Sequence, residues 1–457
     1  MDSETKRFKL RQGLDLPIEG DPIQEIDDSR QVTTVAILGP DYIGMRPTMA
    51  VSVGDSVKLG QLLFTDKKTP GVRHTAPGSG TVKAIHRGEK RRLLSVEIEI
   101  DGNDDDESFE DLTRTPLQEQ SRAQVRDALV TSGLWLSLRS RPYNKTPTLD
   151  SSPHSIFVNA MDTNPLAARP AAILSEARDA WALGLRAVSK LTDGAVYVCR
   201  APGTESEVET KVAQNVCIAE FEGPHPSGLS GTHVHFLDPV GPKKTVWTIG
   251  YQDVIAIGRF FSTGHLHPER VVSLAGPIVK SPRLVRTRVG ASTADLVDGE
   301  LSDGAEARVV SGSVLSGHTA TGPLAFLGRY DLQVSVVAEG REREFLGWQT
   351  PGFDKFSIKK VFAASLSPAK KFALTTSTGG SRRAMVPIGM YESVMPLDIV
   401  PTFLLRALAV DDTAQAQALG CLELVEEDLG LCTFVCPGKD DYGPILRRNL
   451  TQIEKEG

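Results

Sequence analysis

Nowhere in the 457 residues is there an uninterrupted apolar run of the roughly 18 residues that a membrane-spanning helix requires. The N-terminal MDSETKRFKLRQ has no apolar signal core. A chain that stays in a reducing cytosol unless something tethers it is therefore the expectation. Cysteine is scarce, and Cys199, Cys217, Cys421, Cys432 and Cys436 are spaced too irregularly for a disulfide framework, so reduced thiols are expected. Positive charge is in the minority. At a net −7, with basic spots as short as Lys6 to Arg11 and Lys90 to Arg92, nucleic acid is not the expected partner. Also missing are G-x-G-x-x-G, G-x-x-x-x-G-K-[ST], G-x-S-x-G and H-E-x-x-H, so no known phosphate loop, nucleophile elbow or zinc helix supports an enzyme reading. Aromatics stand at 6%, but hydrophobic residues at 40% and charged residues at 24% suffice for several packed cores. At roughly 100 to 200 residues per domain, the length suggests two to four of them.

What is present is a change of period along the chain, which predicts an α+β multidomain protein. Residues 1–110 are read as a β unit, because VTTVAIL, MAVSVGD, GTVKAI and LLSVEIEI are short strand-like runs separated by turns. Its middle, VSVGDSVKLGQLLFTDKKTPGVRHTAPGSGTVKAI, resembles a biotinyl/lipoyl-type barrel-sandwich, with glycine at the tight corners. The acidic DGNDDDESFEDL (101–112) is the boundary candidate and is expected to be a solvated linker or loop. In residues 111–270, strand-like SIFVNAM, GAVYVC, THVHFL and VWTIG alternate with helix-like AAILSEARDAWALGLRAVSKL, which predicts an α/β layer. Residues 271–350 return to β and resemble a soluble-ligand-binding β-grasp unit. Residues 351–457 close the chain with short helices, TAQAQALG ending at Gly420 and PILRRNLTQIEKE starting near Pro444.

Three motifs tempt a chemical reading. Lys67, in FTDKK, sits about where a carrier domain presents its modified lysine, so a lipoyl/biotin-type carrier is the alternative function. Lys68, Pro70 and Gly71 make that tip longer and less regular than a clean hairpin. CTFVCPG supplies the last two positions of a C-x2-C-x2-C-x3-C-P iron–sulfur run. Reading back in threes, however, gives Leu429 and Glu426, and leucine has no lone pair to offer iron. The pairs His233/His235 and His265/His267 are at strand spacing, yet two ligands do not make a site. No catalytic, tightly bound cofactor or metal residue is therefore assigned. Two mixed loops remain, GPDYIGMRP (39–47) with Tyr42, Met45 and Arg46, and RSRPYNK (139–145) with Arg139, Arg141, Tyr143 and Lys145. An aromatic beside cations suits a quinone ring as well as a protein interface, and the interface is the preferred reading.

Longer strings carry a resemblance. GLDLPIEG, VAILGPDYIGMRPTM, TAPGSGTVKAIHRG, IFVNAMDTNPLAA, GYQDVIAIG, MVPIGMYESVMPLDIVPT and AQALGCLELVEEDLGLCTFVCPGK resemble the A subunit of the bacterial sodium-pumping NADH:quinone reductase. The resemblance implies a peripheral subunit on the cytoplasmic side of the inner membrane, within a six-subunit complex that oxidises NADH, reduces ubiquinone and exports sodium. It implies an architecture similar to the NADH-binding flavoprotein subunit of complex I, with FAD, FMN, riboflavin and iron–sulfur held by other subunits. Where such flavoproteins have a glycine-rich phosphate loop, this chain reads SGLWLSLRSRPYNK, with Trp135, Leu136 and Leu138 in the way. Ubiquinone is the small molecule that the resemblance brings into play, and the two mixed loops are where it would be sought.

Overall fold

The computed structural model describes residues 5–456 apart from 104, 205–211, 305, 343 and 344. Met1 to Glu4 of the N-terminal segment and Asp104 of the acidic stretch thus lie outside the described residues. The four expected parts are present: a barrel-sandwich, an α/β layer, a β-grasp sheet and a helical C-terminal part.

The barrel-sandwich is two small antiparallel sheets. One orders the strands Thr34–Leu38, Leu93–Ile100, Gly80–Arg87 and Ser56–Val57; the other orders Pro47–Met49, Leu62–Asp66 and Arg73–Thr75. The period-two pattern of LLSVEIEI buries Val96 and Ile98 completely, as alternation along a strand requires.

The α/β layer is a six-stranded sheet in the order Lys6–Lys9, Val216–Glu222, Val196–Arg200, Ile156–Asn159, Val246–Gly250 and Arg139–Arg141, parallel except for the last strand. Ile156 and Val158 point to the face covered by Arg178–Ser189 and Tyr251–Thr263, while Phe157 points to the face covered by Ser230–Leu237. The first two helices touch backbone to backbone. A Cβ at Gly184 would fall 1.9 Å from the Val254 carbonyl oxygen, and one at Gly258 would fall 1.8 Å from that of Ala180. The long helix-like run is two helices, Pro170–Glu176 and Arg178–Ser189, broken at Ala177.

Several expectations need correction. THVHFL is a helix, Ser230–Leu237, not a strand. A short run buried on most sides has no periodicity to separate the two, and the Thr232 hydroxyl donating to Pro226 O at 2.8 Å fixes its first turn. Of the two forms expected for the acidic stretch, it takes that of a loop tied to the barrel, since Leu59 exchanges backbone hydrogen bonds with Asp105 and Glu107, both at 2.9 Å. The N-terminal segment expected to lie with the barrel supplies strands elsewhere. Lys6–Lys9 lies at the edge of the α/β sheet, and Ile23–Asp27 at the edge of the β-grasp sheet.

The β-grasp sheet runs His318–Thr319, Ala307–Ser311, Gln333–Ala338, Glu269–Ala275, Arg283–Arg288 and Ile23–Asp27. The C-terminal helices Met390–Val394, Pro401–Ala409, Thr413–Ala418, Gly430–Val435 and Tyr442–Glu456 share one apolar core. Gly420, at φ 92°, follows Leu419 at the end of Thr413–Ala418, where a left-handed residue closes a helix with least strain.

Candidate functional site

In the α/β sheet, strands Ile156–Asn159, Val196–Arg200 and Val216–Glu222 step one way from the centre, and Val246–Gly250 lies on the other side of the first. The order therefore reverses between Ile156–Asn159 and Val246–Gly250. In open α/β sheets a ligand crevice lies outside the carboxyl ends of strands at such a reversal. A cavity of about 140 Å³ is found there, reaching from Asn159 and Gly250 to Arg329 and Tyr330 of the β-grasp unit and Glu427 of the C-terminal part. Its size compares with the ~150 Å³ cavity known to admit one benzene ring, below the roughly 300 Å³ at which sites for larger ligands begin.

The walls are polar and cross-linked. Arg329 Nη2 donates to the Ser137 hydroxyl at 2.9 Å and pairs with Asp253 at 2.9 Å, and Asp253 also pairs with Arg270. Burial alone would raise the Asp253 carboxyl, but the two guanidiniums outweigh it and hold the pKa below the usual range. Arg329 Nη1 is buried with no hydrogen-bond partner among the described residues. The Arg329 backbone N–H donates to the Asp41 carboxylate at 2.8 Å, and burial pushes that carboxyl up to about 7. Burial likewise raises Asp162, in the cavity wall, to about 6. Arg139 lies over the Tyr330 ring at 4.5 Å, and the Tyr330 hydroxyl donates to Leu136 O at 3.0 Å. Helix Tyr251–Thr263 opens into the cavity with Gly250 as N-cap and no side-chain cap, which leaves its first N–H groups directed there.

The residues nominated from sequence divide. Tyr42 is buried edge-on against His74 with ring centroids 4.5 Å apart, and burial carries its phenol well above the ordinary range. Met45 packs on the barrel core, and Arg46 is exposed, its N–H held by Asp66 at 2.7 Å. Arg139 reaches the cavity. Arg141 does not: it is 1% exposed, donating to Asp428 at 2.8 Å and Glu423 O at 2.9 Å. Asp428 gains its place because Gly231 has no side chain; a Cβ there would fall 2.1 Å from the carboxylate. Tyr143, at φ 77°, packs on the C-terminal core and accepts from Arg447 at 2.8 Å, while Lys145 pairs with Glu454 at 2.6 Å. Loop 139–145 is thus chiefly the seat of the C-terminal helices. The two loops nevertheless meet, since a Cβ at Gly44 would stand 3.3 Å from Lys145 Nζ.

The remaining motifs have structural partners. Lys67 is exposed in the turn between Leu62–Asp66 and Arg73–Thr75, and its backbone N–H donates to Arg46 O at 3.0 Å. His233 and His235 do not share a face, because two residues along a helix turn the side chains apart. His233 Nε2 bonds to Ser227 O at 2.9 Å, and His235 Nδ1 to Glu423 at 2.8 Å. His265 meets Asp106 at 2.8 Å and His267 meets Thr263 at 3.1 Å. Trp135 sits edge-on to Trp247 at 5.3 Å and donates to Pro147 O at 2.9 Å. Leu136 and Leu138 are buried beside it. In the cysteine run, Leu429 is fully buried, Glu426 pairs with Arg447 at 2.6 Å, and the Cys436 thiol lies 3.2 Å from the Tyr391 hydroxyl and 3.4 Å from that of Tyr442.

Sequence reasoning found Arg139 but missed Asp41, Asp162, Asp253, Arg329 and Tyr330. The available signal was indirect: a strand order that must reverse somewhere in a parallel sheet puts its crevice at two strand ends.

Three family models match the chain: the NqrA N-terminal barrel-sandwich hybrid domain over residues 8–101, the NqrA second alpha/beta domain over 120–266, and the NQRA C-terminal domain over 271–322. Among curated relatives, the A subunit of the Na(+)-translocating NADH-quinone reductase of Hahella chejuensis is 57% identical over 98% of this chain and 100% of its own length. That of Saccharophagus degradans is 58% identical with the same coverage, and that of Pasteurella multocida 57% identical over 98% and 99%. Among solved structures, a chain of an NAD+-reducing [NiFe]-hydrogenase aligns at 14% identity and TM-score 0.37 over 51% of this chain and 49% of that one, too slight a likeness to bear on function.

Proposed function

Because the chain belongs to the family of the A subunit of the Na(+)-translocating NADH-quinone reductase, we propose that it is a peripheral subunit on the cytoplasmic side of the bacterial inner membrane, docked onto the membrane-embedded partners of a six-subunit complex. No helix among the described residues is long and apolar enough to cross a membrane. In this reading FAD, FMN, riboflavin and iron–sulfur belong to the other subunits, and this chain holds none of them tightly. Its contribution to chemistry is to help receive ubiquinone.

The observation that supports a quinone role is the cavity at the strand-order reversal. It is of single-ring size, and its wall carries the guanidinium groups of Arg139 and Arg329. A quinone carbonyl oxygen accepts hydrogen bonds and has none to give. The guanidinium groups of Arg139 and Arg329 and the uncapped first turn of helix Tyr251–Thr263 supply donors along the cavity wall. Tyr330 and Tyr251 offer aromatic surface to the ring. Arg139 lies over the Tyr330 ring, and loop 39–47 meets loop 139–145 at Gly44 and Lys145. Photo-crosslinking of the assembled complex with a reactive quinone analogue tests this. Adducts in peptides containing Arg139 or Arg329–Tyr330 are expected, and labelling confined to the membrane subunits would overturn the quinone role while leaving the docking role intact.

A further inference from the structure

We propose that the irregular loop spanning residues 345–371 rests directly on an anionic lipid surface. Among the described residues, twelve large hydrophobic side chains are exposed, and five of them, Phe345, Leu346, Phe353, Val361 and Leu366, fall within 22 consecutive positions. Leu366 is 84% exposed and Val361 69%. Single exposed apolar side chains need no explanation, but this concentration does.

The loop is not loose chain. Ala363 N–H donates to Pro351 O at 2.8 Å, and Lys370 Nζ to Phe353 O at 2.9 Å. Phe356 turns inward to Phe372 at 5.7 Å and Phe434 at 6.3 Å, anchoring the loop on the C-terminal helices. With these aromatics holding the base, Phe353, Val361 and Leu366 are displayed outward.

Charge selects the occupant. The whole chain carries −7, yet residues 345–371 hold five lysines against Asp354 alone; Lys370 pairs with Asp354, Lys371 with Asp21, and Lys355 is held by Gly347 O and Thr350, while Lys359 and Lys360 stand exposed beside Val361. Protruding apolar side chains interleaved with lysines suit the boundary between headgroups and acyl chains, where the apolar tips enter and the ammonium groups stay with the phosphates. The inference goes beyond the peripheral placement proposed above, since it gives this chain its own contact with the bilayer rather than one made only through partners.

The test uses the full chain and co-sedimentation with vesicles of phosphatidylcholine alone or with phosphatidylglycerol added. Binding is expected only with phosphatidylglycerol, weakening as salt is raised. At about fivefold per lysine near an anionic surface, Lys359→Gln with Lys360→Gln should weaken it roughly 25-fold. Phe353→Ser with Leu366→Ser should abolish it, with circular dichroism and thermal unfolding unchanged in both. Failure of the unmodified chain to sediment with phosphatidylglycerol vesicles overturns the proposal without a variant being needed, and so does binding that ignores salt or the substitutions. If the same variants release the chain from the detergent-solubilised complex while vesicle binding is undiminished, the face belongs to a protein partner and the lipid assignment fails.

Discussion

The cavity at the strand-order reversal and the segment Glu426–Cys436 lie side by side, and they have been treated in opposite ways. In the segment, the positions that an iron–sulfur run would use are occupied by packing: Leu429 is fully buried, Glu426 is tied to Arg447, and Cys436 faces two tyrosine hydroxyls. In the cavity, carboxylates and guanidiniums are arranged around about 140 Å³ of space. Glu427 belongs to both, lining the cavity from within the filled segment. Filled sites give stability, whereas open polar sites cost it and persist where binding repays them. The contrast fits the proposal that the segment works structurally and that the cavity takes a ligand.

The largest effect should come from the link that seats the filled segment. Arg141→Ala leaves Asp428 buried without its cation, and the loss should be about 3–5 kcal/mol in denaturant unfolding, carried by the C-terminal helices; a loss below about 1 kcal/mol would mean that the segment is not anchored there. Next, Leu429→Ala should cost about 2–5 kcal/mol with little change in quinone-analogue labelling. If labelling disappears while stability holds, the contrast collapses. Cys436→Ser keeps a hydrogen-bonding atom between Tyr391 and Tyr442, so a change of about 1 kcal/mol is expected in thermal unfolding.

The smallest effect, on the open side, is a pH dependence. The Asp41 carboxyl is raised by burial from its ordinary value to about 7. A raised folded pKa gives stability that is complete below the unfolded value near 3.8 and lost as pH rises through about 7. Asp41→Asn should therefore gain in Tm over the unmodified chain at pH 8 and show no such gain at pH 4. A difference independent of pH would show that this carboxyl is not enclosed.

The barrel strands, the parallel layer, the β-grasp strands and the close of the helix at Gly420 were legible because each depends on neighbours in sequence: alternation, turn residues, a glycine after a helix. The cavity was not. Of its wall only Arg139 lies in a loop that the sequence singled out; Asp162, Asp253 and Arg329 come from three further separate stretches, outside both mixed loops. Loop 139–145 misled in the opposite way. An Arg-Pro-Tyr run looks like an exposed contact, but Arg141 finds its partner 287 positions later. His233 and His235 misled by period, since a buried six-residue run does not reveal whether it turns every 2 or every 3.6 residues.

The strand Lys6–Lys9 pairs with Ala219–Glu222, and Ile23–Asp27 pairs with the strand Arg283–Arg288. On the ribosome these two strands emerge before their partners, which at about 5–20 residues per second follow only after some tens of seconds. Two edges must stay unclaimed through much of synthesis. A deletion that removes both strands would accordingly be felt in two distant sheets.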